Sequence, residues 1–318
     1  MLCVRGNNAS CDFWVVTSYF NPAKYESRRR NHAQFVKSLL QQGVPCLTVE
    51  CALLDQPFEL PPHRDVLHVR AQSVLWHKER LINLAVEKLP NTCRFVAWVD
   101  ADVLFADGDW PKRTRELLKQ HVAVQPFETV SCLPKEASFP NALPTQTQAG
   151  FAAKVTVDKS VLQAGRFDAH GHTGFAWAAH RTLWEEVGLY EACVVGSADH
   201  LMAHAFLLEP DSPCVTRLVG KDAAHHRHFV KWSARLAAFA ERHGLSGVGF
   251  APGVIAHLWH GELSDRRYFE RNQKLKALDF DPERDLISAP GEPLRLREPA
   301  GALADFLAGY FASRREDG

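Results

Sequence analysis

The stretch that decides the fold is residues 95–105, which read FVAWVDADVLF. Apolar residues run on both sides of an acidic pair, Asp100 and Asp102. Continuous runs of Val, Leu and Phe are typical of strands buried on both faces of a parallel sheet. A carboxylate that is buried without a partner costs several kcal/mol. The two acids are therefore predicted to lie where the strand leaves the sheet, with a positive charge between them.

The spacing of the acidic pair predicts a metal site. In an extended strand, residues two apart point the same way, so both carboxylates are directed at one place. Hard cations such as Mg²⁺ and Mn²⁺ prefer oxygen ligands, and a substrate diphosphate can supply the remaining oxygens. On this tripeptide alone the alternative stays open that Asp100 and Asp102 are two surface acids at a strand end.

The segments around this stretch alternate between the two kinds of secondary structure. Strands are predicted at residues 13–17, 44–49, 66–69, 95–99 and 122–124, and helices at 24–42, at about 74–89 and after Pro111. This alternation predicts an α/β fold with a mostly parallel sheet flanked by helices on both faces. Ligands of such sheets bind outside the carboxyl ends of the strands, which is where Asp100 and Asp102 are predicted to lie.

The charge balance argues against polyanionic partners. The chain has 318 residues, with Lys plus Arg and Asp plus Glu both at 37 and a formal net charge of +0. It therefore has no net positive charge that would attract nucleic acid or an anionic membrane, although a local basic patch would suffice to bind nucleic acid. The basic run Arg28-Arg29-Arg30 is predicted to be a solvated helix face.

The spacing of the cysteines and the length of the apolar segments indicate the cellular compartment. The 8 cysteines are scattered and form no C-x-x-C pair, which is typical of reduced thiols in a cytoplasmic protein. No apolar stretch approaches the length of a membrane span, and the N-terminal residues show no secretory signal.

The acidic stretch resembles the DxD motif of nucleotide-sugar-dependent glycosyltransferases of the GT-A fold, in their soluble bacterial or viral form. Four further segments resemble elements of these enzymes in the expected order. They are WHKERLIN at 76–83, TGFAWAA at 173–179, GSADH at 196–200 and AHLWHG at 256–261, the last followed by Arg266, Tyr268 and Arg271. The resemblance covers about residues 13–275.

The resemblance implies roles on the nucleotide side of a site. Asp100 and Asp102 bind Mn²⁺ or Mg²⁺ against the diphosphate of the donor, and Lys78 lies beside the nucleotide pocket. His257 and His260 are three apart on an extended segment and so need not share a face. One histidine is expected to complete the metal site and the other to contact phosphate. The alternatives are an exposed Lys-Glu pair at Lys78 and structural histidines.

On the acceptor side, the resemblance implies that Gly174 and Trp177 line the donor sugar and the acceptor. The alternative is that Phe175, Trp177 or both are core residues. Asp199 is expected to accept the proton of the acceptor hydroxyl. Equally, Ser197 can be an N-cap and Asp199 a first-turn acid that complements the helix dipole. Ala198 stands where many relatives have a second acid, which weakens the assignment of Asp199 as the base.

The sequence as a whole predicts a GT-A-like catalytic domain at residues 1–280, with a nucleotide-binding half at about 11–126 and an acceptor-side half at about 127–280. A C-terminal tail at 281–318 follows. The expected activity is transfer of a hexosyl or related group from a nucleotide-sugar, most simply a UDP-sugar, to a hydroxyl acceptor such as a glycan or a metabolite. Inversion by a single displacement is expected, with retention as the alternative. A nucleotidyltransferase and a non-catalytic relative that binds a sugar or a nucleotide remain as alternatives.

Overall fold

The structure is a computed structural model that describes residues 11–137, 139–166 and 169–318. The predicted absence of a secretory signal falls on the first ten residues and, like the thiol state of Cys3, lies outside the described residues. No described helix is long and apolar enough to cross a membrane. The described cysteines, at positions 11, 46, 51, 93, 132, 193 and 214, form no disulfide bonds with one another.

Strands and helices alternate along the first half of the chain and become less regular in the second. The strands are β1 (Phe13–Phe20), β2 (Cys46–Leu53), β3 (Val66–Ala71), β4 (Phe95–Val99), β5 (Val103–Phe105), β6 (Ala123–Gln125), β7 (Thr129–Cys132), β8 (Gln146–Ala149), β9 (Ala176–His180), β10 (Val248–Phe250), β11 (Val254–His257), β12 (Leu286–Ile287) and β13 (Arg295–Leu296). The helices are α1 (Glu26–Gln41), α2 (Lys78–Val86), α3 (Trp110–Leu117), α4 (Phe151–Val157), α5 (Thr182–Glu186), α6 (Ala198–Phe206), α7 (Pro213–Val219), α8 (Ala224–His243), α9 (Tyr268–Ala277), α10 (Pro282–Asp285) and α11 (Ala302–Ala312).

A seven-stranded sheet in the order β10-β6-β9-β4-β1-β2-β3 forms the centre of the molecule. Its strand pairs are parallel except at β9, which is antiparallel to both β4 and β6. The prediction of an α/β fold with a mostly parallel sheet is therefore confirmed. The predicted strand at 95–99 is β4, whose five residues are all buried.

Both faces of the sheet are covered, which explains the continuous apolar run of β4. Val96 and Trp98 pack into one core cluster, whereas Phe95, Ala97 and Val99 pack into the cluster on the opposite face. Side chains of a strand alternate between faces, so a strand that is covered on both sides has no polar positions.

A smaller four-stranded sheet in the order β5-β11-β7-β8 adjoins the acidic end of β4. Strand β11 pairs antiparallel with β5, and His257 is in register with Val103. The backbone N–H of Leu258 also donates to the carbonyl oxygen of Asp102 at 2.8 Å. This pairing brings residues 257–260 next to the turn that carries the acidic pair.

The C-terminal region packs against the rest of the chain. The predicted tail contains helix α11, in which Leu307 is fully buried and Tyr310 nearly so. Beyond α11, Glu316 is only 1% exposed and accepts hydrogen bonds from Arg28 and Arg314. The prediction that the whole run 28–30 is solvated is therefore wrong for Arg28, because the end of the chain provides its counter-charge. The division into residues 1–280 and 281–318 stays a prediction.

Candidate active site

A cleft of about 370 Å³ opens where β1 and β4 end, which is the edge that α/β sheets use for ligands. The predicted site residues that line it are Lys78, Asp100, Asp102, Gly174, Asp199, His257 and His260. They come from the turn after β4, the first turns of α2 and α6, the residues before β9 and the end of β11. The fold thus gathers seven of the eight predicted positions in one place.

The two aspartates do not extend strand β4, although the prediction of a shared direction assumed that they do. The backbone N–H of Val103 donates to the carbonyl oxygen of Asp100 at 3.2 Å, which closes a turn between β4 and β5. The carboxylates consequently enter two different groups of side chains. Asp102 meets the histidines, and Asp100 pairs with Lys78 at 2.6 Å. The prediction that an extended strand directs both at one cation is wrong in its geometry, and a metal-ligand role for Asp100 stays a prediction.

Asp102, His257 and His260 form a group that is suited to hold a metal ion. One ligand atom from each lies within 4.8 Å of the others. An oxygen of Asp102 lies 2.9 Å from His260 Nε2, and the two Nε2 atoms lie 3.2 Å apart. Both histidines therefore face the same point, contrary to the expectation that their spacing separates them. The end of β11 at His257 explains this, because the chain turns before it reaches His260.

The protonation states in this group favour metal binding. Burial lowers the pKa of His257 to about 3, so its imidazole is neutral and offers a lone pair. Burial alone would raise the pKa of Asp102, but His260 and His257 hold it below its usual range. The Oδ1 atom of Asp102 is buried and accepts no hydrogen bond from any described residue. A carboxylate oxygen in this position fits a cation, and an O,N,N donor set suits Mn²⁺ better than Mg²⁺.

Lys78, Asp100 and Asp199 form the second charged group of the cleft. The Lys78 ammonium contacts both carboxyl oxygens of Asp199, at 3.1 and 3.2 Å, in addition to Asp100. Burial opposes the charge on Lys78, and the two carboxylates raise the pKa of this side chain above its ordinary value. Because the ammonium is bound by carboxylates here, a contact between Lys78 and phosphate stays a prediction.

Asp100 is less readily ionised than an ordinary aspartate. Burial raises its pKa to about 6, and the charge of Lys78 only partly opposes that rise. The group therefore gains or loses a proton near neutral pH, which makes the charge of the cleft sensitive to pH.

Gly174 is required by close packing beside Asp199. A Cβ atom at this position would lie 3.3 Å from Asp199 Oδ2 and 3.1 Å from His172 Cε1. His172, which sequence reasoning missed, accepts the Gly174 N–H through Nδ1 at 3.0 Å and stacks on Phe175 with ring centroids 3.9 Å apart. The only feature of the sequence that could have singled out His172 is its position two residues before Gly174.

Trp177 does not line the cleft, so its predicted role beside the donor sugar is wrong. Its side chain is 1% exposed and packs against Phe206 with ring centroids 5.4 Å apart. The physical reason is the backbone of Phe175, whose φ of 77° breaks the alternation of the strand. Phe175 and Trp177 consequently lie on opposite faces of the sheet, and Phe175 is the aromatic residue that reaches the cleft.

Ser197 lies at the N-cap position of α6 without using its side chain as a cap. Its φ is also 77°, and its hydroxyl accepts hydrogen bonds from Arg271 at 3.0 Å and Asn272 at 3.1 Å. Left-handed backbone at residues other than glycine costs roughly 1–3 kcal/mol and clusters at functional sites. Phe175 and Ser197 place two such residues on the wall of the cleft.

The cleft also contains charged residues that the sequence did not single out. Arg28, Arg314 and Glu316 line it together with Arg266 and Arg271 of the C-terminal motif. The Arg266 guanidinium lies 3.0 Å from His260 Nε2, at the edge of the candidate metal site. Arg28 was missed because its partner Glu316 lies 288 residues away in sequence, whereas Arg314 is only 2 residues from Glu316 and belongs to a segment without a recognised motif.

Comparisons with known proteins found similarity at the level of structure. No protein-family model matches the chain, and no curated protein matches it. A Drosophila β1,4-galactosyltransferase 7 in complex with manganese, UDP-Gal and xylobiose is 12% identical, with 93% of this chain and 99% of that chain covered and a TM-score of 0.38. Glucosyl-3-phosphoglycerate synthase from Mycobacterium tuberculosis with Mg²⁺ and UDP is 12% identical, with 91% and 88% covered and a TM-score of 0.36.

A nucleotide-diphospho-sugar transferase of Desulfovibrio desulfuricans G20 is 10% identical, with 84% of this chain and 96% of that chain covered and a TM-score of 0.34. Because the TM-scores are low, the function of the cleft is assigned from its own geometry.

Glu79, which directly follows Lys78, generates a prediction about stability. Its side chain is 1% exposed, and burial together with the charge of Asp199 raises its pKa to about 8. Between its ordinary pKa of 4.5 and about 8, the folded protein holds a proton that the unfolded chain has lost. The free energy of unfolding therefore falls as the pH rises through that interval.

We expect Glu79→Gln, which mimics the protonated acid, to melt with the wild type at about pH 5 and a few degrees above it at about pH 9. Melting curves at both pH values check this, and Glu87→Gln, at an exposed glutamate, is the matched control. A difference between Glu79→Gln and the wild type that does not grow with pH would contradict the assignment.

Proposed function

We propose that this chain transfers a glycosyl group from a nucleotide-sugar donor, with UDP-hexose as the first candidate, to a hydroxyl acceptor. The observation that carries the proposal is the division of one cleft into two charged groups. Asp102, His257 and His260 form a ligand set for a divalent cation, while Asp199 presents a carboxylate on the other side. A sugar transferase needs both functions, one for the leaving diphosphate and one for the incoming hydroxyl.

The leaving-group side is built from the three metal ligands and Arg266. A bound Mn²⁺ would counter the charge that develops on the diphosphate when the bond between the sugar and the phosphate breaks. Arg266 lies beside His260 and adds a permanent positive charge at the same place. The cleft-lining residues at the end of β1, among them Ser18 and Tyr19, are the proposed contacts for the nucleoside.

The acceptor side is built around Asp199. As the new bond between the acceptor oxygen and the sugar carbon forms, the hydroxyl proton passes to a carboxylate oxygen of Asp199. Lys78 holds that carboxylate by two contacts and so fixes its direction, and Gly174 leaves the space next to it open. Direct displacement from the face opposite the leaving diphosphate inverts the configuration at the sugar carbon.

The metal role generates the second prediction. Asp102→Asn should weaken binding of UDP in the presence of Mn²⁺ by about 10- to 100-fold, because it removes the anionic ligand while preserving the shape of the side chain. Calorimetric titration of UDP with and without Mn²⁺ measures this, and Asp305→Asn, at an exposed aspartate of α11, is the matched control. Unchanged metal-dependent binding in Asp102→Asn would contradict the role of the site.

The base role generates the third prediction. Asp199→Asn should lower kcat by about 10²–10⁴-fold and leave the affinity for UDP–Mn²⁺ nearly unchanged, because asparagine cannot accept the proton. Donor turnover and melting temperature are measured on one preparation, again with Asp305→Asn as the control. Near-normal turnover in a well-folded Asp199→Asn variant would exclude this residue as the base.

The same assay separates the alternative functions. A panel of nucleotide-sugars is incubated with hydroxyl acceptors, nucleoside triphosphates are incubated with sugar phosphates in parallel, and the released species are identified. A glycosyltransferase releases a nucleoside diphosphate, a nucleotidyltransferase working in the synthetic direction releases pyrophosphate from a nucleoside triphosphate, and a binding module releases neither. Release of pyrophosphate, or binding of UDP–Mn²⁺ without turnover of any donor and acceptor, would contradict the proposed activity.

A further inference from the structure

A second group of His and Cys side chains lies at the wall of the cleft, and two of its members, His170 and His200, are among the lining residues. His170 belongs to the segment before β9, His200 and His204 belong to α6, and Cys214 belongs to α7. All four are buried, with exposed fractions of 1%, 7%, 0% and 0% in that order. Their potential ligand atoms all lie within 4.8 Å of one another. The proposed glycosyl transfer uses none of these side chains.

The local structure explains why these side chains converge. His200 and His204 are four residues apart on α6, so they lie on the same face of the helix. Their ring centroids are 4.7 Å apart, and the ring of His170 lies 5.1 and 5.2 Å from them. Cys214 is placed by the turn between α6 and α7, in which Ser212 accepts a hydrogen bond from the N–H of Val215.

Hydrogen bonds on the outer side of the rings orient two of the histidines. Nδ1 of His170 lies 3.0 Å from the carbonyl oxygen of Gly171, which can only accept, so this nitrogen carries the proton. Nδ1 of His204 lies 2.8 Å from the hydroxyl of Ser212, and its Nε2 atom has no hydrogen-bond partner among the described residues. Such outer partners are typical of histidines that bind a metal through the other nitrogen.

The surroundings of the group are apolar. Phe151 packs against His170 and His204, in both cases with ring centroids 5.3 Å apart. Burial lowers the pKa of His204 to about 3 and that of His200 well below its ordinary value, so both imidazoles are neutral. Neutral imidazoles and a thiol that meet in the core form the donor set of a transition-metal site.

We propose that His170, His200, His204 and Cys214 bind a structural zinc ion. Four protein ligands with an N₃S donor set match the closed tetrahedral sites that zinc prefers. In such sites zinc lies about 2.0–2.1 Å from nitrogen and about 2.3 Å from sulfur, so the ligand atoms would draw together around the ion. The site differs from that of Asp102, His257 and His260, which offers three protein ligands and includes a carboxylate suited to Mn²⁺.

The zinc ion would tie together the parts of the chain that form the acceptor side of the cleft. His200 directly follows Asp199, and His170 directly precedes the cleft-lining residues Gly171 and His172. Binding to both histidines therefore fixes α6 relative to the segment that leads to Gly174. This consequence rests on the proposed function, whereas the zinc site does not.

Metal analysis of the full-length protein tests the proposal. Untagged wild-type protein, expressed with zinc and dialysed against metal-free buffer, should contain about one zinc ion per chain by inductively coupled plasma mass spectrometry. Cys214→Ser and His204→Asn should each lose most of this zinc. Cys193→Ser and His225→Asn, at a buried cysteine and histidine outside the group, should retain it. Asp102→Asn should also retain it, because its side chain belongs to the other site.

Cobalt substitution tests the zinc site in the wild-type protein and therefore does not depend on how well the variants fold. Wild-type protein that is reconstituted with Co²⁺ should show the strong visible absorption of tetrahedral cobalt together with a thiolate-to-cobalt charge-transfer band. Folded wild-type protein without zinc, a cobalt spectrum without the thiolate band, or zinc that is lost in Asp102→Asn but kept in Cys214→Ser would each overturn the proposal. A zinc-loaded chain that binds no UDP–Mn²⁺ would contradict the proposed glycosyl transfer but not the proposed zinc site.

Discussion

The backbone pairing of β11 with the segment that carries Asp102 is the constraint on which the cleft depends. His257 is in register with Val103, and the Leu258 N–H donates to the carbonyl oxygen of Asp102 at 2.8 Å. Backbone register fixes the positions of side chains more firmly than flexible side-chain contacts do, because each ladder bond restrains two residues at once. The proposed metal ligands are therefore positioned by the smaller sheet, whereas the proposed nucleoside side of the cleft belongs to the larger one.

The turn between β4 and β5 places the carboxylates of Asp100 and Asp102 in two different groups of side chains. Asp102 lies beside two imidazoles and stays ionised, while Asp100 is drawn to Lys78 and has a pKa of about 6. Two carboxylates from one tripeptide thus acquire different environments and different tendencies to ionise. Asp199 joins the group of Lys78 from a different helix, so the direction of its carboxylate depends on α2 as much as on α6.

Local patterns in the sequence were sufficient for the sheet and for most of the cleft. The buried run of β4 and the alternation of strands and helices predicted the architecture, and strand ends and helix starts predicted where polar residues would gather. The predictions that failed concern residues whose positions depend on backbone conformation or on a partner that is distant in sequence. Trp177 was misplaced because the left-handed backbone of Phe175 shifts the alternation of the strand, and Arg28 because its partner Glu316 lies at the other end of the chain. The group around Cys214 draws on three separate segments, and only its pair on α6 has a regular spacing.

The central claim is that Asp102, His257 and His260 hold the cation that faces the diphosphate. Anomalous diffraction from crystals grown with Mn²⁺ and UDP tests it most directly, with data collected at the manganese edge. We predict a manganese peak within bonding distance of all three side chains and next to the two phosphates. A peak between Asp100 and Asp199 instead, or UDP bound in the cleft with no manganese at these three residues, would contradict it.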